Sequence, residues 1–210
     1  YFKAVLATQG GQVVAIDRNR HIIVPSGYNG SFVPVYTLNA TSSSCEWNFC
    51  KGLPQIKWTN RSFIFGATAK PLAVDFVNIG TAYACACSAT TQSTIYRSTD
   101  SGANWTAVGK LQNGDRGAYT SVFLNAARGF AGHLWLTAQF TGGRGSGLWR
   151  SIDGGQNWAL VPWPPMPWNG PNKMGLGAPE KPGGYPTIYL QAWGGWDSHD
   201  KLFYCTDEGR

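Results

Sequence analysis

The sequence predicts an all-β protein of about four repeated units, and three observations predict it. A ten-residue motif recurs at a nearly fixed interval. Short apolar runs alternate with Gly-, Ser-, Thr- and Asn-rich stretches, and no long stretch carries apolar residues at helical spacing. Aromatics reach 14% while charged residues stop at 13%, with 27 Gly and 12 Pro, a composition that argues against disorder and for many turns.

The motif is the strongest of the three. Residues 96–105 read YRSTDSGANW and residues 149–158 read WRSIDGGQNW. Both contain S-x-D-x-G-x-x-W: Ser98, Asp100, Gly102 and Trp105, then Ser151, Asp153, Gly155 and Trp158. The aspartates lie 53 positions apart, and Asp207 follows after another 54, with Cys205 in the serine slot and Gly209 in the glycine slot. An aromatic-led strand precedes each motif: AYACAC at 82–87, LWLTAQF at 134–140 and IYLQAW at 188–193. A worn first copy has HIIV at 21–24 and PVYTLNATSSSCEW at 34–47, keeping Trp47 but not the Asp or Gly. The units run roughly over 10–58, 70–108, 117–162 and 172–210.

Turn chemistry explains the motif. An Asp carboxylate accepts hydrogen bonds from nearby backbone N–H groups and fixes a local turn. Gly two positions later supplies a positive φ at little cost. The Trp opens the next strand and lays a large apolar face on the hairpin. Strand, fixed hairpin and strand form the outer part of a four-stranded blade, and a multi-strand period of this length is that of a β-propeller. The expected architecture is a single partial propeller over residues 1–210, about four blades of an incomplete ring.

The remaining composition narrows the classes of function. The net charge is +6, but the basic residues are scattered and Arg18 with Arg20 is the densest cluster, so no nucleic-acid patch is expected. The apolar runs, such as Ile22 to Val24, Phe63 to Phe65 and AYACAC at 82–87, are far too short to span a membrane. The chain opens at Tyr1 with neither initiator Met nor signal peptide, as expected of a mature form, a fragment or a sequence with its ends missing. Four N-x-[ST] sequons, at Asn29, Asn39, Asn60 and Asn104, point to a secreted glycoprotein. Cys45 and Cys50 bracket a short loop that a disulfide can close, whereas Cys85 and Cys87 share a strand face and read as buried structural residues. The spacing lacks the C-x-x-C pairs of a zinc site, and neither metal nor cofactor is expected.

The motif resembles the Asp box of sialidases, sortilin-type receptors and the xyloglucanases of glycoside hydrolase family seventy-four. The segments between the motifs are more selective. GGQVVAIDRNRHIIVPSG, KPLAVDFVNIGTAYA, AGHLWLTAQFTGGRGSGLWRSIDGGQNW and MGLGAPEKPGGYPTIYLQAW follow the order of the second propeller of those xyloglucanases, from about Gly10 to Arg210. The resemblance implies two seven-bladed propellers with a substrate cleft between them, and a chain corresponding to the last blades of the second. It implies that the Asp boxes lie on the outer rim, away from the active site. The two catalytic aspartates of that family come from the first blade of each propeller, and no residue here matches either.

The search for chemistry agrees. Glycoside hydrolysis normally needs two carboxylates flanking the bond. Asp100, Asp153 and Asp207 read as turn-formers. Asp197 and Asp200 flank His199 in GGWDSHDK, the one local cluster of titratable groups; such a cluster can bind a metal or transfer protons, but it reads more simply as a solvated hairpin loop. No G-x-S-x-G elbow is present, and His21, His133 and His199 belong to different units. Trp105, Trp135, Trp149 and Trp158 read as core. Trp163 and Trp168, in a loop with five prolines, and Trp193 and Trp196, beside Asp197, suit a carbohydrate platform or blade-to-blade packing.

The expected function is therefore a segment of a secreted xyloglucanase-like propeller, forming a β-glucan-binding wall without catalytic residues. Its partners would be a xyloglucan-type polysaccharide and either missing blades or neighbouring subunits. The rival expectation is a non-catalytic extracellular scaffold or fibril subunit on the same propeller. A sialidase is weaker, because Arg97 and Arg150 precede motifs and form no carboxylate-binding group.

Overall fold

A computed structural model gives the fold. It describes residues 15–16, 21–25, 35–39, 47–49, 51–53, 72–86, 93–111, 119–140, 147–162, 171–193 and 200–209. Every regular element among them is a β-strand, and the strands form four antiparallel sheets in chain order.

The first sheet contains β1 (Ala15–Ile16), β2 (His21–Pro25), β3 (Val35–Asn39) and β4 (Trp47–Phe49). The second contains β5 (Leu72–Val74), β6 (Ala82–Ala86), β7 (Thr94–Ser98) and β8 (Thr106–Lys110). The third contains β9 (Tyr119–Ala126), β10 (Leu134–Phe140), β11 (Gly147–Ser151) and β12 (Ala159–Val161). The last has β13 (Pro171–Pro179), β14 (Pro186–Trp193) and β15 (Asp200–Cys205). Each is a meander whose consecutive strands pair. The first strands of successive sheets touch in turn, β1 to β5, β5 to β9 and β9 to β13, so the sheets are arrayed side by side about their inner strands.

The registers of the sheets correspond. Tyr83 of β6 faces Arg97 of β7, Trp135 of β10 faces Arg150 of β11, and Tyr189 of β14 faces Tyr204 of β15. With a side-chain period of two, each sheet has one face toward its predecessor and one toward its successor. Leu72, Val74, Ala82, Ala84 and Trp105 pack with Leu53 on the predecessor side of the second sheet. Tyr83, Cys85 and Ile95 on its other face join Leu124, Leu134 and Leu136 of the third. Trp135 and Leu148 join Ile188 and Leu190 of the fourth. The cores are thus layers between sheets. Burying one such Leu or Ile contributes about 1.5–3 kcal/mol, so these layers hold adjacent sheets together.

Trp105 and Trp135 are buried, whereas Trp149 and Trp158 are half-buried and pack against the layer between the second and third sheets. Cys85 is fully buried.

Candidate functional site

Strand polarity divides the sheets into two ends. One end carries the S-x-D-x-G turns and the connections from β5 to β6, β9 to β10 and β13 to β14. The other receives the connections from β6 to β7, β8 to β9, β10 to β11, β12 to β13 and β14 to β15. Residues 87–92, 112–118, 141–146, 163–170 and 194–199, which make those connections, lie outside the described residues.

The motif turns share one geometry. The Ser98 hydroxyl donates to Asp100 Oδ1 at 2.7 Å and accepts the Gly102 N–H at 2.9 Å. Ser151 does the same with Asp153 at 2.8 Å and Gly155 at 3.0 Å. In the third copy the Cys205 thiol donates to Asp207 Oδ1 at 2.7 Å and accepts the Gly209 N–H at 3.1 Å. Trp105 Nε1 donates to the Gly102 carbonyl at 2.7 Å, and Trp158 Nε1 to that of Gly155 at 2.9 Å.

Two features of the turn are not visible in the eight-position motif. First, two consecutive residues have positive φ: Ser101 (60°) with Gly102 (91°), Gly154 (71°) with Gly155 (85°), and Glu208 (63°) with Gly209 (80°). That pair of left-handed residues is the signature of a type I′ turn. Second, the residue before the Trp is an acceptor-seeking Asn. Asn104 gives its backbone N–H to Asp100 Oδ1 at 2.8 Å and its Nδ2 to Asp100 Oδ2 at 2.6 Å. Asn157 repeats this with Asp153 at 3.0 and 2.7 Å. Partial burial opposes ionisation of Asp100, but the bonds from Asn104 and Ser98 outweigh it and hold the carboxyl below its ordinary range. Asp153 is lowered in the same way, against burial, by Asn157, Ser151 and Gln156.

Each motif turn also rests on the preceding sheet. Ala103 and Trp105 exchange backbone hydrogen bonds with Lys51, which lies just beyond β4, both at 2.8 Å. A Cβ on Gly155 would lie 2.9 Å from Ile95 Cγ2, and one on Gly109 of β8 would lie 2.0 Å from the Gly155 carbonyl oxygen. A Cβ on Gly209 would lie 2.8 Å from the Trp135 ring. The glycines are therefore needed for close approach between sheets as well as for φ.

Two polar clusters complete these joints. Between the second and third sheets sits Asp75, a buried carboxylate. Its Oδ1 accepts the N–H groups of Val77 at 2.8 Å and Asn78 at 3.0 Å. Its Oδ2 accepts Asn78 Nδ2 at 3.1 Å and, across the joint, the Gly132 N–H at 2.9 Å. The Tyr83 hydroxyl lies 3.4 Å away, and burial, then the Asp75 charge, push its pKa up to about 12. Between the third and fourth sheets, Arg150 reaches Glu208 Oε2 at 2.6 Å and the Glu208 carbonyl at 3.3 Å. Its guanidinium carbon stands 5.4 Å from the ring centroids of both Trp135 and Tyr185. Trp135 Nε1 donates to the Tyr185 hydroxyl at 2.7 Å. Burial, then the Arg150 charge, lower the pKa of nearby His133.

Asp75, Asp100, Asp153, Asp207 and Glu208 thus each hold a turn or a joint between sheets. Among the described residues no group of His, Cys, Asp or Glu is arranged to hold a metal ion. Asn104 is exposed, but its amide is engaged by Asp100. Trp163, Trp168, Trp196 and Asp197, the sequons at Asn29 and Asn60, and the Cys45–Cys50 pair lie outside the described residues. Trp193 closes β14 opposite Asp200, and Asn39 closes β3 opposite His21; their side chains also lie outside the described set.

No protein-family model matches the chain, and no curated protein matches it by sequence. Its backbone is similar to solved structures. A Hadza microbial sialidase aligns over 94% of this chain with TM-score 0.55 and 13% identity. The GH93 α-L-arabinofuranosidase of Fusarium graminearum aligns over 91% with TM-score 0.53 and 12% identity. A variant of the NanB sialidase of Streptococcus pneumoniae aligns over 89% with TM-score 0.51 and 13% identity. The chain spans 44%, 60% and 28% of those three chains. What they share with it is the fold, and the chain is an all-β propeller of the kind found in sialidases and arabinofuranosidases.

Proposed function

We propose that the chain is a non-catalytic wall of a secreted, carbohydrate-active propeller, holding a β-glucan of the xyloglucan class at the end of the sheets opposite the motif turns. The observation that carries this reading is the commitment of carboxylates at the motif end. Asp75, Asp100 and Asp153 each accept several hydrogen bonds from turn or joint groups. A carboxylate so engaged is a poor acid or nucleophile. Catalysis by a pair of carboxylates then has no support at this end. In the sequence Trp163 and Trp168 fall between β12 and β13, and Trp193 and Trp196 at and just after the end of β14, and the flat apolar face of an indole suits a sugar ring. Propellers of the same fold carry sialidases and an arabinofuranosidase, so a polysaccharide is a natural ligand class for this surface.

Titrating tryptophan fluorescence with a xyloglucan oligosaccharide tests the proposal. Saturable quenching is expected, and Trp193→Ala together with Trp196→Ala should weaken it about tenfold, the scale of one lost stacking contact of ~1.4 kcal/mol. The same sample should release no reducing ends. An unchanged spectrum at saturating oligosaccharide would remove the binding role, and sustained hydrolysis would remove the non-catalytic one.

A further inference from the structure

The joints between sheets follow one rule. The successor faces of the second and third sheets each present an aromatic on the second strand, an apolar residue and a cross-strand partner on the third, and the motif turn of the next sheet covers them. In the second sheet these are Tyr83, Ile95 and Arg97. Gly154 and Gly155 lie over them, with Cβ positions 3.4 Å from the Tyr83 hydroxyl, 3.3 Å from Arg97 Nη1 and 2.9 Å from Ile95. In the third sheet Trp135 and Arg150 lie under Glu208 and Gly209.

The register carries the same three positions into the fourth sheet as Tyr189, Leu202 and Tyr204. Here the burial reverses. Tyr83 and Ile95 are 1% and 0% exposed, and Trp135 and Leu148 are 0% and 2%, whereas Tyr189 is 42%, Leu202 74% and Tyr204 73% exposed. Phe203 and Cys205, on the opposite face of the same strand, pack into the layer against the third sheet. The face is therefore an apolar surface in register with two interfaces, on an ordered sheet whose other side is filled.

We propose that Tyr189, Leu202 and Tyr204 form a seat for one more S-x-D-x-G-type turn, belonging to a further sheet of the same propeller. Continuity with the two covered joints names the occupant. Its second positive-φ residue is a glycine, because that position meets the Tyr189 ring as Gly209 meets Trp135. This inference does not depend on the carbohydrate reading, since it concerns the flank of the fourth sheet and not its loop end.

Tyrosine nitration of the native protein, mapped by peptide mass spectrometry, tests it. The buried Tyr83 and Tyr185 are the slow internal standards. If a further sheet covers the seat, Tyr204 is nitrated as slowly as Tyr83, at least tenfold below a free tyrosine, and the protection is the same at every protein concentration. Rapid nitration of Tyr204 overturns the proposal. Protection that disappears on dilution also overturns it, because the occupant is then a second molecule.

Discussion

At the scale of the residue, the motif aspartates act as anchors for donors. Asp153 takes both the N–H and the Nδ2 of Asn157 together with the Ser151 hydroxyl. Asp153→Ala should lose about 1–2 kcal/mol in urea unfolding, the range for a turn-fixing carboxylate with an accessible side chain. Asn157→Ala should lose less, because its backbone N–H still donates. The pH dependence has a definite sign. The pKa values of Asp100 and Asp153 are lowered in the folded chain, so their contribution is complete above the unfolded carboxylate range and declines as pH falls through the folded values. Stability should fall in acid below about pH 4. The Asp100→Asn, Asp153→Asn double variant, compared with its parent across that range, should show a shallower fall. Asp75 is different, since replacing either oxygen by an amide turns a donor toward other donors. Asp75→Asn should cost about 2–3 kcal/mol, as expected when a buried charged acceptor is lost.

The motif aspartates were legible in the sequence because they recur, but Asp75 was not. The β5–β6 and β9–β10 turns close in the same way, with the N–H of Asp75 donating to the Thr81 carbonyl and that of Ala127 to the His133 carbonyl. The equivalent of Asp75 is therefore Ala127, and no repeat marks the aspartate. Its key partner, Gly132, lies 57 residues along the chain, a pairing only the fold creates. Asn104 was hidden differently. Its N-W-T context reads as a sequon, and its engagement with Asp100 depends on a turn geometry that the eight-position pattern does not specify.

At the scale of the element, adjacent sheets are joined through a turn laid on a face. Arg150 and Glu208 lie on successive sheets, and both are partly buried. A double-mutant cycle with Arg150→Met and Glu208→Gln should return a coupling of about 1 kcal/mol, above the usual surface pair because Arg150 is also held between Trp135 and Tyr185. A coupling near zero would remove the pair from the joint. The glycines supply a second comparison. Gly109→Ala forces a backbone oxygen aside and should be strongly destabilising, whereas Gly175→Ala in β13 meets nothing within 4 Å and should be tolerated. Sequence alone marked Arg97 and Arg150 only as residues before a motif. Their reach toward the next sheet follows from strand order, which a local pattern does not encode.

At the scale of the whole molecule, the sheets form a row in which each is stabilised through its neighbours. The three hydrophobic layers lie between successive sheets, so loss of one turn is felt by the sheet beneath it. The fold class and the order of the sheets were readable because a period near 53 residues repeats a strand pattern. The layered packing was not, since it depends on which face each alternating residue takes. Hydrogen-exchange mass spectrometry of Gly155→Ala tests the joint most directly. The account predicts faster exchange in the 151–158 turn and equally in β7 and β8 of the preceding sheet; acceleration confined to residues 147–161 would contradict it.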